Sequence, residues 1–179
     1  WTFGYPAATG IGTQHGGILV DFNAVKGGIE IIPLDNDWQK AAHVYSDEVL
    51  ISHRTDAEKG TPKFERGKSL SDHQCEMIYI SGTAAIRGEE SIVTGDVLVQ
   101  TEITLENIQH LIGLEEGREK LPEHSGKLEL LRVYLKHEED AKIVKEDMDK
   151  LCPDVPIVYL YADVCREELL VEIEGIAYL

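Results

Sequence analysis

The sequence predicts an α+β domain in which a mixed sheet carries two helices on one side. Two segments with helical periodicity, near residues 97–112 and 138–151, lie between strand-like runs, and the chain closes on alternating strands. At 179 residues the chain is long enough to bury one good core.

In chain order, residues 1–30 are glycine-rich, with Gly10-Ile11-Gly12-Thr13-Gln14-His15-Gly16-Gly17 followed by the strand-like Ile18-Leu19-Val20-Asp21-Phe22. No Lys-Ser or Lys-Thr follows the glycines, which excludes a P-loop. A second strand is expected near Gly28–Pro33, others at His43–Ser46 and Val49–Ile51, and a strand running into a tight turn at Cys75–Ala84. Residues 1–49 read as a junction or partial N-terminal region, and 50–179 as the domain proper. The first helix has apolar positions 98, 105, 108, 111 and 112, with Asp96 as its N-cap. Beyond a charged insertion at 113–127, Leu128–Leu135 reads as a strand. Residues 138–151 form the second helix, with Ala141, Val144, Met148 and Leu151 facing the core. Pro153 and Pro156 stop it before a strand beginning at Ile157, and Val171–Gly175 forms the last strand.

Composition narrows the function. Thirty-three acidic residues against 17 Lys and Arg give a formal charge of −16, which disfavours nucleic acid and anionic membranes as partners. Any pocket for an anion must gather local positive charge from a few Arg or Lys. Cys75, Cys152 and Cys165 form no pairing motif; they fit a reducing, cytoplasmic setting, each as a small buried side chain. The seven histidines make no metal-ligand spacing, so neither metal nor other cofactor is expected. The chain opens on Trp1 with no signal-peptide pattern and is expected to be part of a longer or trimmed polypeptide.

The strongest chemical signal is Val171-Glu172-Ile173-Glu174-Gly175, where alternation points both carboxylates the same way. Burial and a neighbouring like charge would both favour the protonated form of Glu172, making it a candidate general acid. Arg132 and Tyr134 alternate on one strand face. Arg132 is the first candidate for a substrate carboxylate and Arg166 the second, while Tyr79 and Tyr45 could donate hydrogen bonds. Each has a plainer alternative: Glu172 holding a loop or subunit contact, Arg132 in a salt bridge, Cys165 packing, Tyr79 as an amphipathic wall.

Several blocks resemble the YjgF/RidA superfamily in order: Tyr79-Ile80-Ser81-Gly82, Gly95-Asp96-Val97, Gln100-Thr101, Leu105-Glu106-Asn107-Ile108, Val133-Tyr134-Leu135, Pro153 with Pro156, and Val171–Gly175. The resemblance implies a chorismate-mutase-like fold and a homotrimer with clefts between subunits. In the imine deaminases of that superfamily an arginine follows the penultimate-strand proline by two residues; Val158 stands there, so the carboxylate clamp is missing. Ile80–Ile86, Gln100-Thr101-Glu102 and Tyr159–Arg166 leading to Leu169–Gly175 resemble the chorismatase branch, whose members are about twice this length. That resemblance implies Glu172 as catalytic acid, Cys165 as the cysteine of hydroxybenzoate-forming members, and Gly82, Thr83 and Glu174 among the residues facing a small anionic substrate. A metabolite-binding trimer without turnover, and a deaminase with an altered carboxylate anchor, are the competing readings.

Overall fold

The computed structural model describes residues 4–13, 16–50, 59–72, 75–113 and 127–179. Its strands are β1 (Glu30–Leu34), β2 (Gly67–Ser71), β3 (Glu76–Thr83), the short β4 (Ile86–Arg87) and β5 (Glu90–Ser91), β6 (Lys127–Leu135), β7 (Ile157–Tyr161) and β8 (Val171–Tyr178). The helices are α1 (Val97–Leu111) and α2 (Ala141–Leu151). Six strands form one sheet in the order β1-β2-β3-β8-β6-β7, and β4 pairs with β5 as a separate hairpin. Only the β6/β7 pair in the large sheet is parallel, with α2 in the crossover such a pair requires.

Register separates the two faces of the sheet. Leu131, Val133 and Leu135 of β6 lie opposite Gly175, Ile173 and Val171 of β8. With Ile78 and Ile80 of β3, these residues build the core under Leu105 and Ile108 of α1 and Val144 and Met148 of α2. The intervening positions, Arg132 opposite Glu174 and Tyr134 opposite Glu172, point to the other face. The expected mixed sheet with both helices on one side is the observed fold. Asp96 caps α1 as its position predicts, its carboxylate accepting from the backbone amides of Leu98 and Val99.

Gly175 keeps the two central strands close. A Cβ there would come within 2.6 Å of the Leu130 carbonyl oxygen and 2.7 Å of Leu131 Cδ2. Because the first obstacle is backbone, Gly175→Ala should cost about 2 kcal/mol through strand displacement. Urea unfolding checks this, and a variant as stable as the parent would contradict it.

Several local expectations are corrected. Ile18–Phe22 is not a strand: Ile18 and Phe22 are 94% and 78% exposed, and no neighbouring strand among the described residues offers a ladder. His43–Ser46 is not a strand: a 3₁₀ turn at Ala42–Val44 overlaps its start. There the Glu89 carboxylate takes both the Ser46 amide and hydroxyl at 2.8 Å, replacing ladder bonds with side-chain bonds. Val49 and Leu50 form no strand either, and Ile51 lies outside the described residues. Leu151 is 45% exposed; the buried stripe of α2 continues from Met148 to Cys152, four residues on. Of the three cysteines expected inside, only Cys152 is buried, while Cys75 and Cys165 are exposed.

The glycine-rich N-terminal region contributes directly to this architecture. β1 forms the sheet edge, and residues 4–13 run as an arm that bridges Ala7 to Glu65 and Gly12 to Asp163. Among the described residues no helix is long and apolar enough to cross a membrane.

Candidate active site

The uncovered face of the sheet gathers Glu172 and Glu174 from β8 with Arg132 and Tyr134 from β6. Glu174 is the tethered carboxylate. Its Oε1 accepts from Arg132 Nη1 and from the Tyr134 hydroxyl, both at 2.7 Å, and its Oε2 accepts from the Thr9 hydroxyl on the N-terminal arm. Thr9 in turn accepts from the Gly82 amide at 2.9 Å, so one side chain links the arm, β3 and Glu174.

Glu172 is 6% exposed. Burial, and next the charge of Glu174, push its carboxyl pKa up to about 7, while the Arg66 guanidinium pulls it back down. Burial and the hydrogen bond to Glu174 push the Tyr134 hydroxyl up, keeping it a donor. A carboxylic acid that holds its proton near neutrality, beside a tethered carboxylate, is suited to proton transfer.

Glu172 reaches this position through a bulge. Ile80 pairs with Gly175 and Thr83 with Ile173, leaving Ser81 and Gly82 opposite Glu174 alone. The Glu172 carboxylate occupies the space over Gly82, where a Cβ would sit 2.1 Å from Glu172 Oε1 and 2.8 Å from Thr9 Cγ2. Gly82→Ala should therefore displace Glu172 and lower the apparent pKa of the acid by about one unit as it becomes solvated. A carboxyl titration unchanged in that variant would contradict this packing.

Arg66 is the main site residue that the sequence did not single out. It lies 3% exposed just ahead of β2, and its Nη2 donates to the Lys40 carbonyl at 2.5 Å and to the Tyr45 hydroxyl. Its Nε is buried without a partner. Arg166, 8% exposed, gives Nη1 to the Glu89 carbonyl and the Ser91 hydroxyl, each at 2.9 Å. Both guanidinium carbons lie 5.5 Å from the Tyr45 ring centroid, so Tyr45 joins the two cations. Together they gather two positive charges beside one aromatic ring on this acidic protein.

The remaining candidates divide. Cys165 is exposed over the residue as a whole, yet its thiol is crowded enough that desolvation, followed by Glu172, raises its pKa against the pull of Arg166. Tyr79 shares the uncovered face but pairs with Ile176, farther along β8 from Glu172. Thr83 falls opposite Ile173 on the helix-covered side and donates its hydroxyl to the Ser81 carbonyl at 2.8 Å, so it is not brought into the cluster. Among the described residues no group of three His, Cys, Asp or Glu side chains is placed to hold a metal. Two surface hollows, of about 280 Å³ beside His110 and about 410 Å³ beside His137, share no residue with the Glu172 cluster. The chemistry of the side chains, not the size of a hollow, marks the site.

No family model matches the sequence. A chorismatase from Streptomyces rapamycinicus is 35% identical over 179 residues, covering 96% of this chain and 50% of that protein. A 3-hydroxybenzoate synthase from Streptomyces hygroscopicus is 33% identical over 185 residues, with the same coverage. Among solved structures, a chorismatase superposes with a TM-score of 0.72 at 29% identity, over 96% of this chain and 50% of that one. A Rid-family protein from Yersinia pestis, 17% identical, superposes with a TM-score of 0.50 over 71% of this chain and 96% of its own. The chain thus spans about half the length of the curated relatives it matches. In fold the chain resembles the Rid-family protein, and in sequence it resembles one half of the chorismatases.

Proposed function

We propose that this chain supplies the general acid for chorismatase-type cleavage of an enolpyruvyl ether, with chorismate or a related anionic acid as substrate. The observation that carries the reading is Glu172: a buried carboxyl with its pKa near neutrality, next to Glu174 and within the field of Arg66. The names of the two Streptomyces relatives supply the substrate class.

Glu172 gives its proton to the terminal methylene carbon of the enolpyruvyl group. The alkene π electrons form the new C–H bond, and the ether-bearing carbon becomes an oxocarbenium ion. Water adds to that carbon and loses a proton, and Glu172 is reprotonated. Collapse of the hemiketal breaks the bond to the ring oxygen, which takes the hemiketal proton, and releases pyruvate with a dihydroxycyclohexadiene acid; loss of water from that diol gives a hydroxybenzoate. Cys165, whose thiol pKa the Glu172 charge helps to raise, is our candidate for directing the ring chemistry toward a hydroxybenzoate. Arg66 and Arg166 are the candidate carboxylate anchors, with Tyr45 between them. Arg132 is less suited, because its charge is already paired with the Glu174 carboxylate, whereas Arg66 and Arg166 donate to neutral oxygens.

The uncovered face also displays Val158 and Leu160 of β7, 47% and 38% exposed and in register with Arg132 and Tyr134. These residues support closure of the site by a neighbouring polypeptide, with a homotrimer as the proposed assembly. The three free cysteines support a reducing, cytoplasmic setting. The net charge of −16 and Val158, where the deaminases carry an arginine, favour one second reading, a site that binds a small metabolite without turning it over.

Incubation with chorismate, with pyruvate followed by coupling to lactate dehydrogenase, tests these readings. Pyruvate formed in equal amount to an aromatic or cyclohexadiene acid supports cleavage. Chorismate binding without pyruvate establishes the binding-only alternative, and the absence of both refutes the two together.

A further inference from the structure

We propose that Gln100 is a positioning residue for the Glu172 site: from the helix-covered side it clamps the chain at Glu168 and Leu170 and fixes where β8 begins. The inference rests on the reading of Glu172 as the working acid and adds a residue to it. Gln100 is completely buried on α1. Its Nε2 donates to the Glu168 carbonyl at 2.9 Å, and its Oε1 accepts from the Leu170 amide at 2.8 Å. A primary amide presents a donor and an acceptor side by side, so it serves here as the ladder partner that this stretch of backbone lacks. Leu169, between the two contacts, is fully buried in a small cluster with Ala84, Ala85, Ile86 and Val164.

The clamped stretch leads directly to the site. Glu172 lies two residues beyond Leu170, while Cys165 and Arg166 lie just upstream and are tied to the same turn by the Leu169 amide donating to the Arg166 carbonyl at 3.2 Å. Just past the end of β6, the Lys136 amide donates to the Leu170 carbonyl at 3.0 Å, and Lys136 Nζ donates to the Glu167 carbonyl at 2.9 Å. Gln100 supplies the contact from the helix side. Without its amide, the part-buried Glu168 carbonyl and Leu170 amide lose their partner, and relieving that loss shifts the turn toward solvent. The displacement would carry Cys165 outward and Glu172 out of its buried seat.

The test compares Gln100→Met, which keeps volume and removes both hydrogen bonds, with Gln100→Glu, which keeps an acceptor for Leu170. Ile108→Val serves as a destabilised control in the main core, away from the turn. All are made in a Cys75→Ser background, so that Cys165 is the exposed thiol. Gln100→Met should raise the iodoacetamide rate of Cys165 at pH 8 by about tenfold, as relief of the desolvation that raises its thiol pKa increases the thiolate fraction. The carboxyl titration of Glu172, followed by carbon NMR, should move toward the ordinary carboxylate range. Gln100→Glu should show intermediate changes in both, and Ile108→Val neither. If Gln100→Met merely lowers stability as Ile108→Val does, leaving thiol rate and carboxyl titration at parental values, the positioning role is overturned. Neither readout needs turnover, so a parent protein that fails to cleave chorismate refutes the hydrolase reading while Gln100 is still decided.

Discussion

Glu172→Gln should reduce pyruvate release from chorismate by about 10³-fold, since the amide has no acidic proton to give. The same change should stabilise the fold at high pH. The native carboxyl has a pKa of about 7, against about 4.3 for an unperturbed glutamate. Between those values the native state keeps a proton that the unfolded chain has lost, so stability present at low pH is lost as pH rises toward 7. The full difference is roughly 4 kcal/mol. Glutamine removes that dependence. Parent and variant should have similar urea midpoints near pH 4, with the variant more stable by up to about 4 kcal/mol near pH 8. A stability difference that does not change with pH would contradict a buried, protonated Glu172. In the parent, the rate should fall as pH rises through about 7, the deprotonation limb of the acid.

Arg66→Met should produce the second large effect. Its guanidinium lowers the Glu172 pKa, so its loss should move the falling limb of the pH–rate profile to higher pH. As the candidate anchor, it should also raise KM for chorismate by about 10²-fold, the scale expected from losing a charged hydrogen-bonding contact. The Lys40 carbonyl and Tyr45 hydroxyl lose their donor in the same variant, so some loss of stability is expected. Measurement of KM against kcat across pH separates these effects. Unchanged KM with an unshifted limb would remove Arg66 from the site.

Where local pattern and long-range pairing agree, the sequence was a good guide. The Asp96 cap and the apolar spacing of α1 depend on neighbouring residues, and so does the strand alternation of Val171–Gly175. The common face of Glu172, Glu174, Arg132 and Tyr134 then required only that β8 pair with β6 in this register. β2 was not legible: Gly67-Lys68-Ser69-Leu70-Ser71 is short and polar, and becomes a strand because β1 and β3 flank it. The bulge at Ser81 and Gly82 hides in the same way, since one unpaired residue changes the face on which Thr83 falls. Arg66 and Thr9 carry no local signal. Arg66 stands in a stretch punctuated by charges, and Thr9 in a glycine-rich arm 73 residues before Gly82. The fold alone brings them to Glu172.

The central claim is that the uncovered sheet face holds a carboxylic acid protonated close to neutral pH. Selective ¹³C labelling of glutamate carboxyls, with Glu172 assigned by its absence in Glu172→Gln, measures this directly. The account predicts a carboxyl resonance titrating with a midpoint near 7. A midpoint in the ordinary range near about 4.3 would contradict it, because an acid of that strength has already lost the proton that the proposed chemistry requires.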